Sequence, residues 1–426
     1  MRVLVVGSGG REHALVWKLR QSKKIQKIFC APGNAGIARL AKCVNIPANE
    51  VGRLADFATS NKMTLTVVGP EQPLALGIAD EFRRRKLRIF GPDRKAVQLE
   101  SSKVFAKEFM QKYHIPTAAF KVFDNLTEAL GFCKGIEFPA VIKVDGLAAG
   151  KGVTVVQDYD QANRTLGLVF EKKKFGDAGS RVVIESHLSG QEVSLMVITD
   201  GKNYIPLLPC QDHKQVFDGD RGPNTGGMGA FCPVDLVTDS VMAQVRQFVL
   251  EPVIAGLQKE NIQYRGVLYA GLMLTDAGPK VLEFNARFGD PEIQAMLPLM
   301  KSDLYEILKA VADGHLDKNA RVEWRKGAAA CVVMCSKGYP GDYPRGLRIA
   351  GLQNIRQEGA YVFHSGTRRE NNQWVTDGGR VVGVMGMDGD LEAALSKTYR
   401  VVRQIKFEGA HYRRDIGFRV LAKRLG

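Results

Sequence analysis

Short apolar runs alternate with helical periodicities over the first hundred residues. Val3 to Val6, Ile28 to Cys30, Leu65 to Val68 and Ile89 to Phe90 each stop near a Gly or Pro, and Leu74, Ile78 and Phe82 repeat at helical spacing between them. Continuous apolar strands separated by helices predict a parallel, doubly wound sheet. Ser101 reads as the N-cap of a helix to Tyr113, stopped by Ile115-Pro116-Thr117. Pro139 to Val144 and Val153 to Val156 then read as strands joined by the glycine-rich loop Asp145 to Gly152. Asp160 to Lys174 follows as an amphipathic helix with Ala162, Leu166, Val169 and Phe170 inward, and Arg181 to Glu185 returns as a strand. Val193 to Ile198 and Tyr204 to Leu208 are further strands, followed by a long polar loop from Gln211 to Gly229. Loops of that length commonly act as lids or binding loops. In the strand Lys280 to Arg287, period-two alternation puts Glu283, Asn285 and Arg287 on one face and Leu282 and Phe284 toward the core.

Composition narrows the class. At ~150 residues per domain, 426 residues make about three domains. Hydrophobic residues at 45%, charged residues at 25%, and 45 glycines against 17 prolines fit a globular α/β protein and exclude a disordered or collagen-like one. The longest apolar run, Ala328 to Cys335, is far shorter than the ~20 residues of a membrane-spanning helix. Arg11 and Glu12 interrupt the N-terminus before a signal-peptide core builds up, so a cytoplasmic protein without membrane attachment is expected. Seven cysteines without a C-x-x-C pair argue against a disulfide framework and against structural zinc. The net charge of +15 invites a nucleic-acid reading, which a steep salt dependence of duplex binding would reveal. The basic residues are scattered, however; Arg83 to Lys86 and Lys172 to Lys174 sit at helix ends, and no aromatic platform accompanies them. No specific nucleic-acid partner is expected, and a basic surface equally suits phosphorylated small molecules.

Three segments carry candidate chemistry. The turn Gly7 to Glu12 opens a helix whose first N–H groups suit a phosphate. Glu12 stands where a dinucleotide fingerprint needs a small residue, and no acidic residue closes the second strand at Ala31 to Asn34, so NAD is not expected. The loop from Gly146 to Gly152 departs from a Walker A motif: three residues, not four, separate Gly146 from Gly150, Gly152 replaces the Ser/Thr, and a strand follows. Such a loop with Lys151 suits either a cover over nucleotide phosphates or an ordinary hairpin. Glu283 and Asn285 are hard ligands suited to Mg²⁺, and Arg287 to a transferring phosphoryl group. Alone, that polar face also fits the exposed side of a half-buried strand. Asp290 and Glu292 add two carboxylates just beyond it.

Gly7-Ser8-Gly9-Gly10-Arg11-Glu12-His13-Ala14, Ala31 to Gly36, Asp145 to Val153, Gln211-Asp212-His213-Lys214, Gly222 to Gly229 and Glu283 to Glu292 together resemble the glycinamide ribonucleotide synthetase family of the ATP-grasp superfamily. The resemblance runs from residue 1 to about 420. It implies a Rossmann-like substrate-binding domain over 1–102, an ATP-grasp domain over 103–327 with a mobile flap at about 122–189, and a small α+β domain over 328–426. The implied reaction is ATP-dependent ligation of glycine to 5-phosphoribosylamine through glycyl phosphate, with Mg²⁺ or Mn²⁺ as the cofactor. By resemblance Lys103 and Lys143 contact ATP phosphates, Gly150, Lys151 and Gly152 cover them, Glu185 and Leu188 belong to the adenine hinge, and Glu192 holds the ribose. Glu283 and Asn285 hold the metal. Arg287 and Asp212 are catalytic; Asp212, Asn224, Thr225 and Gly226 lie near glycine and the ribosylamine, and Gly9 and Gly10 approach the sugar phosphate. A monomer or weak homo-oligomer is expected. Two departures stand out: Ser8 where Asn is common, and Ser186-His187 where the hinge carries Glu-Phe. Biotin-dependent carboxylases and other purine-pathway ligases share the glycine loop and Glu-x-Asn strand but lack the Asp212 to Lys214 and Pro223 to Gly227 pairing.

Overall fold

In the computed structural model, which describes residues 1–148, 152–353, 355 and 357–424, the first apolar run becomes the central strand of a five-stranded parallel sheet. Arg2–Gly7 is flanked on one side by Lys27–Pro32 and then Lys42–Cys43, and on the other by Leu65–Val68 and then Ile89–Phe90. Both faces of that strand are apolar because both are covered. Val3 and Val5 join the core containing Leu15 and Leu19 of the helix Gly10–Leu19, whereas Leu4 and Val6 join the one containing Leu54, Ile78 and Phe82. The 74/78/82 periodicity is not one helix: Gly77, at φ +85°, separates Glu71–Ala75 from Ile78–Arg84. All three apolar side chains are nonetheless buried. The N-cap of the helix Lys103–Lys112 is Ser102, not Ser101, which ends the preceding helix Arg94–Ser101. The Ser102 hydroxyl accepts the Phe105 N–H at 3.0 Å and donates to Asp145 at 2.7 Å, tying the helix start to the glycine-rich loop.

The flap is an antiparallel sheet ordered Phe120–Phe123, Val182–Ser186, Ala140–Val144, Val153–Val156. Helices Leu126–Cys133 and Tyr159–Phe170 close its core through Ala129, Ala162, Leu166 and Val169. The second helix stops at Phe170, ahead of the lysine run, and Lys173 has φ +46°. Gly150 and Lys151 lie outside the described residues.

A second antiparallel sheet is ordered Tyr204–Pro206, Gln191–Thr199, Gly266–Thr275, Gly278–Asn285. Its last ladder slips by one residue: Gly271 pairs with Glu283, but Leu272 pairs with Val281. Leu282 is the extra residue of this bulge and lines a cleft, while Val281 and Phe284 take the fully buried positions. The expectation of a core-facing Leu282 is therefore corrected. The strand also ends at Asn285, so Arg287 lies beyond it.

The stretch 211–229 is not one long loop. Gln211–Asp212 pairs with Gly229–Cys232, and Gln215–Phe217 pairs with Arg221–Asn224 as a hairpin between them. The outer pair continues a five-stranded sheet through Ala328–Cys335 and Arg380–Asp388 to Ala360–His364. The C-terminal region thereby carries its hydrogen bonding directly into the segment that bears Asp212, Asn224 and Thr225. All seven cysteines are free thiols, and among the described residues no helix is long and apolar enough to cross a membrane.

Candidate active site

A cleft of about 700 Å³ opens between the flap, the second sheet and the 211–229 segment. Lys103, Lys143, Gly152, Glu185, Leu188 and Glu192, the residues expected from the sequence to surround a nucleotide, all line it. Asp212, Asn224, Thr225 and Gly226 line it from the 211–229 segment, and Glu283, Asn285 and Arg287 add a further stretch of its wall. Gly152 has no room for a side chain, since a Cβ there would meet Val144 Cγ2 at 2.5 Å and Ala148 Cβ at 2.7 Å.

Glu283 is the electrostatic centre of that wall. Its Oε2 lies 3.2 Å from Lys103 Nζ, and Asn285 Nδ2 approaches its Oε1 at 3.4 Å. Burial opposes its ionisation, but the ammonium groups of Lys103, Lys214 and Lys143 outweigh burial and hold its pKa far below the usual carboxylate value. A charged carboxylate and an amide two residues apart fit a divalent cation that completes its shell with phosphate oxygens and water. Among the described residues no cluster of three or more His, Cys, Asp or Glu could hold a metal by itself.

Arg287 has the opposite surroundings. Its Nε lies 3.1 Å from Glu71 Oε2 and 3.2 Å from Glu100 Oε1, and these carboxylates overcome the burial penalty and raise its pKa further. Glu100 is itself fixed by the Ala286 N–H at 2.7 Å. The guanidinium is thus held by the helices Glu71–Ala75 and Arg94–Ser101, and Glu71, Glu100 and Arg287 all line the cleft. Neither acid was singled out in the sequence, because nothing in their local pattern marks them.

Asp212 and Lys214 both line the cleft, while His213, between them, points the other way and accepts the Gly417 N–H at 3.2 Å. Lys214 forms an ion pair with Glu192. Burial and then the Glu292 carboxylate push the Asp212 carboxyl well above its ordinary pKa, with Lys214 opposing them. Behind it, Glu292 Oε1 accepts the hydroxyls of Ser194 at 3.0 Å and Tyr269 at 2.9 Å. Glu185, expected at the adenine hinge, forms ion pairs with both Lys143 and Lys107. Lys107 is a buried participant that the sequence did not flag.

At the N-terminal glycines the picture changes. Glu12 Oε2 accepts the Gly9 N–H at 2.6 Å, so the protein's own carboxylate takes up a donor that the sequence reserved for phosphate. Gly69 leaves room for it, since a Cβ there would lie 2.0 Å from Glu12 Oε1. Gly10 is buried, and a Cβ on it would sit 2.6 Å from Ser365 Oγ and 2.8 Å from Gln294 Nε2. Gly10 is not among the residues that line the cleft. Gly9 is half-buried, with Asp290 on the cleft wall as its neighbour. Arg11 lines the cleft directly, its guanidinium tied to Glu12 at 2.7 Å and to the Phe288 carbonyl at 3.2 Å.

Comparison with known proteins places this geometry. Residues 1–100, 101–293 and 329–419 match, in turn, the N domain, the ATP-grasp (A) domain and the C domain of phosphoribosylglycinamide synthetase. A phosphoribosylamine-glycine ligase of Caldanaerobacter subterraneus subsp. tengcongensis is 50% identical over 416 residues, covering 98% of this chain and 99% of that protein. The crystal structure of the phosphoribosylamine-glycine ligase of Thermotoga maritima superposes with a TM-score of 0.85 at 34% identity, covering 98% of this chain and all of that one. A biotin carboxylase domain of Hydrogenobacter thermophilus 2-oxoglutarate carboxylase reaches a TM-score of 0.74 over 96% of this chain and 91% of its own, but at 15% identity it shares the fold alone. With three successive domain models matched in order and half of all residues shared with a full-length relative, the chain belongs to the phosphoribosylglycinamide synthetase family.

Proposed function

We propose that the cleft joins glycine to 5-phosphoribosylamine at the expense of ATP, giving glycinamide ribonucleotide, ADP and phosphate. One observation carries the reading: Lys103, Glu283, Asn285 and Arg287 line the same cleft as Asp212, Asn224 and Thr225. Phosphoryl-transfer groups and a polar substrate segment thus bound a single volume. Such chemistry depends chiefly on positioning and charge neutralisation.

In this reading a glycine carboxylate oxygen attacks the γ-phosphorus, the bond to the β–γ bridging oxygen breaks, and ADP leaves. The phosphoribosylamine nitrogen then attacks the acyl carbon; the acyl C–O bond breaks, inorganic phosphate leaves and the nitrogen gives up a proton. Lys103 and Lys143 offset phosphate charge, and Arg287 donates to the transferring group. Glu283 and Asn285 would hold a divalent cation, which when bound would neutralise phosphate charge. Asp212, which lines the cleft beside Lys214, serves as the base for the amine. Glu192 holds the nucleotide ribose after exchanging Lys214 for it, Leu188 contributes to the adenine hinge, and Gly9 borders the sugar phosphate. ATP hydrolysis measured with glycine and freshly made phosphoribosylamine, each omitted in turn, tests the proposal. Turnover that persists without either one would refute it.

A further inference from the structure

Gly226 belongs to the segment 224–229 that borders the cleft, yet both of its backbone polar groups are held by the C-terminal region. Its N–H donates to the Tyr339 hydroxyl at 3.1 Å, and its carbonyl accepts from Arg380 Nη1 at 2.7 Å. The same Arg380 nitrogen donates to the Asp290 carbonyl at 2.7 Å, and Nη2 donates to Asp290 Oδ2 at 3.0 Å. One guanidinium from the first residue of the strand Arg380–Asp388 thus joins the 224–229 turn to the segment just after the Glu283 strand. Asp290 is braced from its other oxygen by Gln294 at 2.7 Å.

The contact between these two segments is close enough to need such a clamp. Gly227 has φ +110°, and a Cβ on it would lie 2.4 Å from Pro291 Cδ and 2.9 Å from Asp212 Oδ1. The turn is therefore pressed against both the Asp290-Pro291 peptide and the Asp212 carboxylate. A second grip acts at the far end of the hairpin, where fully buried Arg413 donates to Asp220 at 2.8 Å and to the Gln215 carbonyl at 3.2 Å.

We infer that Arg380, assisted by Tyr339, is a positioning residue that sets the 224–229 turn against the phosphoryl-transfer wall, so that the C-terminal region governs productive substrate binding rather than nucleotide binding. The inference rests on the function proposed above. A lysine would not substitute, because a single ammonium cannot reproduce a planar fork directed at two carbonyls and a carboxylate.

Arg380→Ala, Arg380→Lys and Tyr339→Phe are the test, with Arg368→Ala as a control on a half-buried arginine of the same region that pairs with Glu370. In Arg380→Ala the KM for glycine or phosphoribosylamine should rise roughly tenfold or more while the KM for ATP stays within about twofold. Arg380→Lys should resemble the alanine variant, and added guanidinium should restore part of the alanine variant's activity. Amide exchange over 224–229 should accelerate in Arg380→Ala and not in Arg368→Ala. Unchanged exchange, unchanged substrate KM values, or a parallel rise in the KM for ATP would overturn the inference. Should Arg380→Ala not fold, Tyr339→Phe, which removes only the acceptor for the Gly226 N–H, carries the same readouts with smaller shifts. If the unmodified chain lacks glycine-dependent and phosphoribosylamine-dependent turnover, the functional reading falls, and the exchange measurement still decides the positioning role by itself.

Discussion

Glu283 and Arg287 stand four residues apart and are kept charged by opposite company, lysines around the acid and carboxylates around the base. Their removal should therefore fail differently. Glu283→Ala deletes a charged metal ligand and leaves Lys103 without its partner; activity should collapse and recover in part at high Mg²⁺ or Mn²⁺. Near-normal turnover of that variant at low Mg²⁺ would refute the metal assignment. Arg287→Ala removes positive charge at the transferring phosphoryl group, a loss of ~3 to 4 kcal/mol, or roughly 10² to 10³ in rate, that extra metal should not restore. It also leaves Glu71 and Glu100 facing each other without their shared cation, so its melting temperature should fall as well. The alternation of Glu283 and Asn285 was legible in the sequence because period two is a property of any strand. The clamp of Glu71 and Glu100 was not, because it joins residues nearly two hundred positions or more away from Arg287.

At the level of elements, the flap presents Leu147 and Val155, each 40% exposed, toward the cleft. Exposed apolar side chains beside a nucleotide site are surface that a bound base would cover. ATP should slow amide exchange in the strands Ala140–Val144 and Val153–Val156; exchange there that is indifferent to ATP would argue against a closing lid. A different seam joins the helix Gly10–Leu19 to the strand Ala360–His364, where the His364 N–H donates to His13 Nδ1 at 2.8 Å. Around it stand Thr367, 2.9 Å from His364 Nδ1, and Arg39, whose charge opposes protonation of both rings. Burial first, then Arg39, lowers the His364 pKa from 6.5 to about 4. The unfolded chain therefore binds a proton that the folded chain refuses between those values, and stability falls as pH drops through that window, by up to ~3 kcal/mol from this group. Melting temperatures followed from pH 7 to 4.5 should decline, and decline less in His364→Asn. An identical decline in that variant would assign the acid sensitivity to other groups.

For the whole molecule the charge of +15 demands an account. Its cations are dispersed and do not form one platform: Arg84 and Arg85 stand at a helix end beside Glu81, Arg413 lies between Asp220 and Asp415, and Arg287 lies against two carboxylates. Duplex DNA should accordingly bind weakly and without sequence preference, and sequence-selective binding that survives ~200 mM salt would contradict this. The sequence by itself determined the parallel N-terminal sheet, the strands of the flap on either side of the glycine-rich loop and the Glu283-x-Asn285 pair, because each depends on local periodicity or on a compact motif. It missed the bulge at Leu282, since a slip in register belongs to two strands at once. It read 211–229 as a loop because those residues are polar, although their ladder partners lie on each other and on the strand Ala328–Cys335. Only the tertiary structure turned Glu12 into an internal cap, buried Gly10 under Ser365 and brought Arg380 onto the Gly226 carbonyl. These contacts join residues that no local pattern connects, and packing of the sheets against one another is what brings them within hydrogen-bonding reach.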